Sequence, residues 1–126
     1  MNLKNRQMVV STLWIVVMLN MAFADILGFM IPGTLAEIMT GYGGSVPITE
    51  ESMLVAAIFI EIPIAMIFLS RILKFKLNKI FNIIASIITI IFVVGGGSLE
   101  LQYIFFATIE TISVIAIIWL MIKWKE

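Results

Sequence analysis

The chain has 126 residues, of which 62% are hydrophobic and 13% are charged, and its mean hydropathy is +1.16. Soluble domains carry about 25% charged residues, so this composition predicts an integral membrane protein with a single domain, residues 1–126. The sequence contains neither cysteine nor histidine, which excludes disulfides, thiol chemistry, Cys/His zinc sites and His-ligated haem within this chain.

The first apolar run spans residues 8–29 and follows a short polar start with Lys4 and Arg6. A signal peptide is one interpretation, because the positive start, the apolar run and the small residues Ala22 and Ala24 match that pattern. The apolar run continues past Asp25, however, and we therefore expect a first membrane helix over 8–29.

The connection to the second run contains acids and no basic residue. Within it, Thr34 and Glu37 have the spacing of a capping box, which predicts a short helix over about residues 35–40. Its apolar side chains share one face, so we expect this helix to lie along the membrane surface: Leu35, Ile38 and Met39.

The second apolar run predicts a membrane helix over 52–72 that carries Glu61 near its middle. A charged group at that depth costs at least about 2.5–3.5 kcal/mol, so its carboxyl group should be protonated, paired or turned toward a polar interior. The small residues Ala57 and Ala65 lie one turn away on the same face, and we expect that face to point inward. Pro63 lacks the N–H for one helical hydrogen bond and predicts a kink.

Two further apolar runs predict membrane helices over 78–95 and 102–124. The first of these carries polar residues at intervals of four, four and three, which places them on one face and is typical of contacts with other helices: Asn78, Asn82, Ser86 and Thr89. The fold class is therefore an all-α membrane protein, a bundle of four transmembrane helices with a short interfacial helix.

Every basic residue falls on one side of this arrangement: Lys4, Arg6, Arg71, Lys74, Lys76, Lys79, Lys123 and Lys125. By the positive-inside rule, both termini are cytoplasmic, in a multi-pass protein of the cell membrane. An even number of spans is required for this charge pattern, which agrees with four helices.

Three acids share the outer half of the membrane in this topology: Asp25, Glu61 and Glu110 lie roughly 7–14 Å below the outer ends of their helices. Asn20 and Thr108 lie close to them along their helices, and the chain offers no basic residue at that depth. One interpretation is a shared cavity in which these five residues bind a proton, a cation or a cationic molecule. Two others are that the acids only hold helices together by hydrogen bonds, or that Asp25 and Glu110 simply reach the membrane surface.

No phosphate-binding loop, nucleophile–base pair or metal-binding motif is present, so we expect no catalytic residues, no bound metal and no cofactor. The basic loop around residues 71–79 is too small to indicate a nucleic-acid partner.

Five segments resemble a family of small four-helix prokaryotic membrane proteins classed as a domain of unknown function: residues 2–6, 24–26, 37–42, 61–66 and 105–110. The resemblance covers nearly the whole chain and implies a fold and a membrane location, but no activity. More distantly, Glu61 followed by Arg71 is similar to the DoxX-like group of four-helix proteins, some of which are linked to quinone or thiol metabolism.

We therefore expect a small binding or transport protein in the lipid bilayer, functioning as an oligomer, with an acidic cavity for a small molecule or a cation. The alternatives are an accessory subunit of a membrane complex, and a protein that binds a lipid- or quinone-like molecule. An enzyme is the least favoured class, because no complete catalytic set is visible.

Overall fold

The computed structural model describes residues 2–44, 46–96 and 100–124. Its elements in chain order are α1 (Leu3–Phe29), α2 (Thr34–Met39), β1 (Tyr42–Gly43), β2 (Val46–Pro47), α3 (Glu50–Ile72), α4 (Phe75–Gly95) and α5 (Leu101–Lys123). Within these ranges, α1, α3, α4 and α5 are long and apolar enough to cross a membrane. The predicted all-α fold with four membrane helices is confirmed.

All four long helices begin earlier than predicted, and the difference is largest for α1 and α4. Helix α1 begins at Leu3, because the side chain of Asn2 accepts a hydrogen bond from the backbone N–H of Asn5 and so caps the helix. Helix α4 begins at Phe75, only two residues after α3 reaches its C-cap at Leu73. The extension of α1 is mostly polar, whereas that of α4 consists of Phe75, Lys76 and Leu77.

Helix α3 begins at Glu50, two residues before the predicted start, with Thr49 as its N-cap. The Thr49 hydroxyl accepts from the N–H of Ser52, and the Ser52 hydroxyl accepts from the N–H of Thr49, which forms a complete capping box. Pro63 is fully buried inside α3, and the helix continues through it to Ile72.

The capping box predicted for α2 from Thr34 and Glu37 is wrong. Gly33 is the N-cap, with a positive φ of 88°, and Thr34 is already the first helical residue, so no side chain caps this helix. The carboxylate of Glu37 instead accepts a hydrogen bond of 3.0 Å from the N–H of Gly44. This bond ties α2 to the turn that follows β1, and β1 pairs with β2 in an antiparallel two-stranded ribbon.

The four long helices form an antiparallel bundle in which each packs against two neighbours, in the cyclic order α1, α3, α4 and α5. Side chains from all four fill the core, including Trp14, Val17, Met66, Ala85 and Ile117. We call one end of the bundle the acidic end, because four acids lie there: Glu37 in α2, Glu50 and Glu51 at the start of α3, and Glu100 before α5. The opposite end is the basic end, with Lys4, Arg6, Arg71, Lys74, Lys76, Lys79 and Lys123.

A buried hydrogen-bonded cluster fills the half of the bundle nearer the basic end. The Oδ1 atom of Asn82 accepts from the Trp14 indole at 2.7 Å and from the Ser70 hydroxyl at 3.2 Å. The Asn82 amide donates to the side chain and the backbone of Asn78, and Asn78 donates to the backbone of Ser70. We call these four residues the polar cluster. It joins α1, α3 and α4, so the predicted role of the α4 stripe in helix contacts is confirmed for Asn78 and Asn82.

Candidate functional site

A cavity of about 270 Å³ lies between the long helices toward the acidic end. All four contribute to its wall. The lining residues are Met21, Ala24 and Asp25 of α1, Ala56 and Ile60 of α3, Phe92 and Val93 of α4, Gly96, and Tyr103 and Glu110 of α5. We call this space the acidic cavity.

Glu110 is the most unusual side chain of the acidic cavity. It is only 2% exposed, and its Oε1 atom has no hydrogen-bond partner in the described part of the chain. A buried polar group without a partner loses the full free energy of its hydration, so any ion or ligand that bonds to this carboxyl group stabilises the protein. On the facing helix α4, the buried hydroxyls of Ser86 and Thr89 also lack a partner among the described residues.

Asp25 occupies the mouth of the acidic cavity and remains exposed. A second space of about 200 Å³ continues from there toward the acidic end and shares Ala24, Asp25 and Tyr103 with the first. Its remaining lining residues are Gly28, Phe29, Thr34, Glu100 and Gln102. We call this space the vestibule. Asp25 therefore lies where the vestibule joins the acidic cavity.

Tyr103 fixes the geometry of this junction. Its hydroxyl donates a hydrogen bond of 2.8 Å to the backbone carbonyl of Val93, which ties α5 to α4 at the cavity wall. Sequence analysis did not identify Tyr103 as a site residue. Its spacing could have predicted a place in the site. Tyr103 and Glu110 are seven residues apart, so they lie on the same helix face, two turns from each other.

The two acids of the cavity, Asp25 and Glu110, have no basic side chain near them among the described residues. Asp25 and Glu110 line the same cavity. The basic side chains within the described ranges all belong to the opposite end of the bundle. Burying an unpaired carboxylate is costly, so the negative charge here can be balanced only by a proton or by a cation that enters from solution.

The expectation that Glu61 faces inward and joins the other two acids is wrong. The buried face of α3 is set by Pro63, Met66 and Ser70, at spacings of three and four. Glu61 precedes Pro63 by two residues, which turns it by about 200° around the helix and leaves it exposed on the outer surface of the bundle. It lines neither the acidic cavity nor the vestibule.

Asn20 and Thr108 also lie outside both spaces. The amide of Asn20 donates to the carbonyl of Val16, and the hydroxyl of Thr108 donates to the carbonyl of Ile104, in each case one turn back in the same helix. Met21 and Glu110 take the inward positions on these two helices, and their neighbours Asn20 and Thr108 are rotated away from them.

The fold and this cavity define a small multi-pass membrane protein with two carboxyl groups at one end of its helical bundle. Residues 2–126 match the family described as "Family of unknown function (DUF6326)", and the chain belongs to that family. No curated protein and no solved structure matches it, and no link to the DoxX-like group emerges.

Proposed function

We propose that the protein binds a small cation in the acidic cavity, between Asp25 and Glu110. The main support is that the buried Oε1 atom of Glu110 has no partner among the described residues. Glu110 also lines the same cavity as Asp25. A cation would supply the missing interaction and balance the charge of both carboxyl groups.

The dimensions of the cavity limit what can bind. A volume of about 270 Å³ lies just below the roughly 300–1,000 Å³ of typical small-molecule pockets. A metal cation with part of its water shell, or a small ammonium group, fits this space better than a drug-sized molecule. The acidic side chains of the vestibule and its rim raise the local concentration of cations and so favour their entry.

The proposed orientation in the cell membrane follows from the charges of the two ends. With the basic end in the cytoplasm, as the positive-inside rule requires, the vestibule opens to the outside. The polar cluster lies between the acidic cavity and the basic end, with Trp14 hydrogen-bonded across the core. Transport of the cation into the cell would therefore require this cluster to open.

Thermal unfolding of the purified protein in detergent tests the binding proposal. Sodium, potassium and tetramethylammonium chlorides are compared at constant ionic strength with the chloride of the bulkier bis-tris propane. At least one of the three small cations should stabilise the wild-type protein, by about 2.7 kcal/mol at a hundredfold excess over its Kd. The double variant Asp25→Asn/Glu110→Gln should lose this stabilisation.

Glu61→Gln is the matched control, because it also removes one acid from a membrane helix but lies outside the cavity. It should retain the wild-type stabilisation. Equal stabilisation of the wild-type protein and the double variant would overturn the proposal.

A lipid- or quinone-like molecule is a second candidate ligand, at a different place. An entirely apolar groove of about 330 Å³ runs between α3 and α4 and is lined by Ile62, Ala65, Met66, Leu69, Phe81, Ile84, Ala85 and Ile88. Such a groove suits an acyl or isoprenoid chain. A lipid or quinone that copurifies with the wild-type protein and is lost in Ala65→Trp would support this role.

A further inference from the structure

Glu61 lies at the middle of α3, eleven residues from Glu50 and eleven from Ile72. Each end of the helix is therefore roughly 16 Å away, which places Glu61 near the centre of any bilayer that α3 crosses. Its side chain is exposed, and the neighbouring residues on the same face are exposed as well: Ala57, Ile64 and Phe68. We call this surface the Glu61 face.

A bundle alone in the membrane would present this carboxyl group to lipid. Exposure of an ionised carboxylate at the bilayer centre is energetically costly. Glu61 makes no hydrogen bond or ion pair with any described residue, so the folded chain itself does not offset this cost. A polar group of a second molecule at the same depth would offset this cost and give the carboxyl group a hydrogen-bonding partner.

We propose that the Glu61 face is the contact surface between two copies of this chain, with the two Glu61 side chains paired across a two-fold axis normal to the membrane. Two copies inserted with the same orientation hold Glu61 at the same depth, so each carboxyl group meets a hydrogen-bonding partner without any adjustment of register. At least one of the two carries a proton, since two carboxylates cannot both stay charged at close range in an apolar setting.

The residues around Glu61 permit the close approach that such a pair needs. Ala57 lies one turn before it and Ala65 one turn after it, and small side chains let the backbones of two membrane helices come near each other. A different protein would fit this face only if it brought a cationic or amide side chain to the same depth. The proposal is independent of cation binding, because Ala56 and Ile60 line the cavity from another face of α3.

Cysteine cross-linking is a clean test, because the natural chain contains no cysteine. Single-cysteine variants Ala57→Cys and Ile64→Cys are reconstituted in liposomes at a low protein-to-lipid ratio and oxidised with copper phenanthroline. Both should form covalent dimers. Ile112→Cys is the matched control, because Ile112 is 62% exposed and lies eleven residues from the start of α5, as Glu61 does from the start of α3. It should form several-fold less dimer.

Second-site changes in the Ala57→Cys protein test the role of the carboxyl pair itself. Glu61→Gln should preserve cross-linking, because two amides can still hydrogen-bond, whereas Glu61→Leu should reduce it several-fold. Equal cross-linking at residues 57 and 112, or no dimer at either 57 or 64, would overturn the proposal. So would cross-linking in native membranes that yields only adducts with a different protein.

Discussion

At the scale of single residues, Asn82 shows how one amide can connect three helices. It bonds to Trp14 of α1, Ser70 of α3 and Asn78 of its own helix, and all four side chains are fully buried. The spacing of the polar residues in α4 predicts that Asn82 faces other helices. Its partners are not predictable from spacing, because they depend on which helices are neighbours in the bundle.

Asn82→Ala should destabilise the protein by about 1–3 kcal/mol, because the Trp14 indole is left buried without an acceptor and Ser70 loses a partner. The free energy of unfolding in detergent, followed by titration with sodium dodecyl sulfate, measures this loss. Asn20→Ala is the control, since Asn20 is half-buried and bonds only to Val16 of its own helix. Its cost should stay below about 1 kcal/mol. Equal costs for the two variants would contradict the importance of the polar cluster.

Among the helices, α3 is the one whose buried face was predicted wrongly from the sequence. Ala57 and Ala65 suggested that Glu61 faces inward, yet the buried stripe of α3 is Pro63, Met66 and Ser70. Between Met53 and Leu69, every residue of α3 except Glu61 is apolar, so hydropathy does not distinguish its buried face from its exposed face. In α4 the polar stripe removed this ambiguity, and its burial was predicted correctly.

The short helix α2 has an orientation that can be tested directly. Leu35 is 57% exposed and Met39 87% exposed, and they lie four residues apart on one face, which suits contact with the membrane surface. Nitroxide labels at these two positions in liposomes should collide more with oxygen, which concentrates in lipid, than a label at Glu37. A water-soluble nickel complex should show the opposite order. Equal accessibility of all three labels would contradict a helix lying on the membrane.

In the whole bundle, the basic side chains of the described residues lie at one end, as expected for four helices with this charge pattern. The start of α1 and the end of α5 meet there, where the Arg6 guanidinium donates to the carbonyl of Leu120. The acidic cavity was predicted only in part. Counting residues along the helices predicts that Asp25 and Glu110 lie at a similar depth. The packing of the bundle is needed to show that both line one cavity with Tyr103 and that Glu61 does not line it.

The proposed orientation predicts that both ends of the chain are in the cytoplasm, because the basic residues lie at that end. Fusions of a reporter that is active only in the cytoplasm should therefore be active at the N-terminus and at the C-terminus. A matching fusion within the connection between α2 and α3 should be inactive. Activity at only one terminus would contradict an even number of spans.

The most direct measurement of cation binding by Asp25 and Glu110 is infrared difference spectroscopy of the protein in lipid. Replacing bis-tris propane by the cation that stabilises the protein should change the carboxyl and carboxylate bands, because the cation contacts these groups themselves. Glu61→Gln should leave this difference spectrum unchanged, whereas Asp25→Asn/Glu110→Gln should abolish it. An unchanged difference spectrum in the double variant would contradict binding of the cation in the acidic cavity.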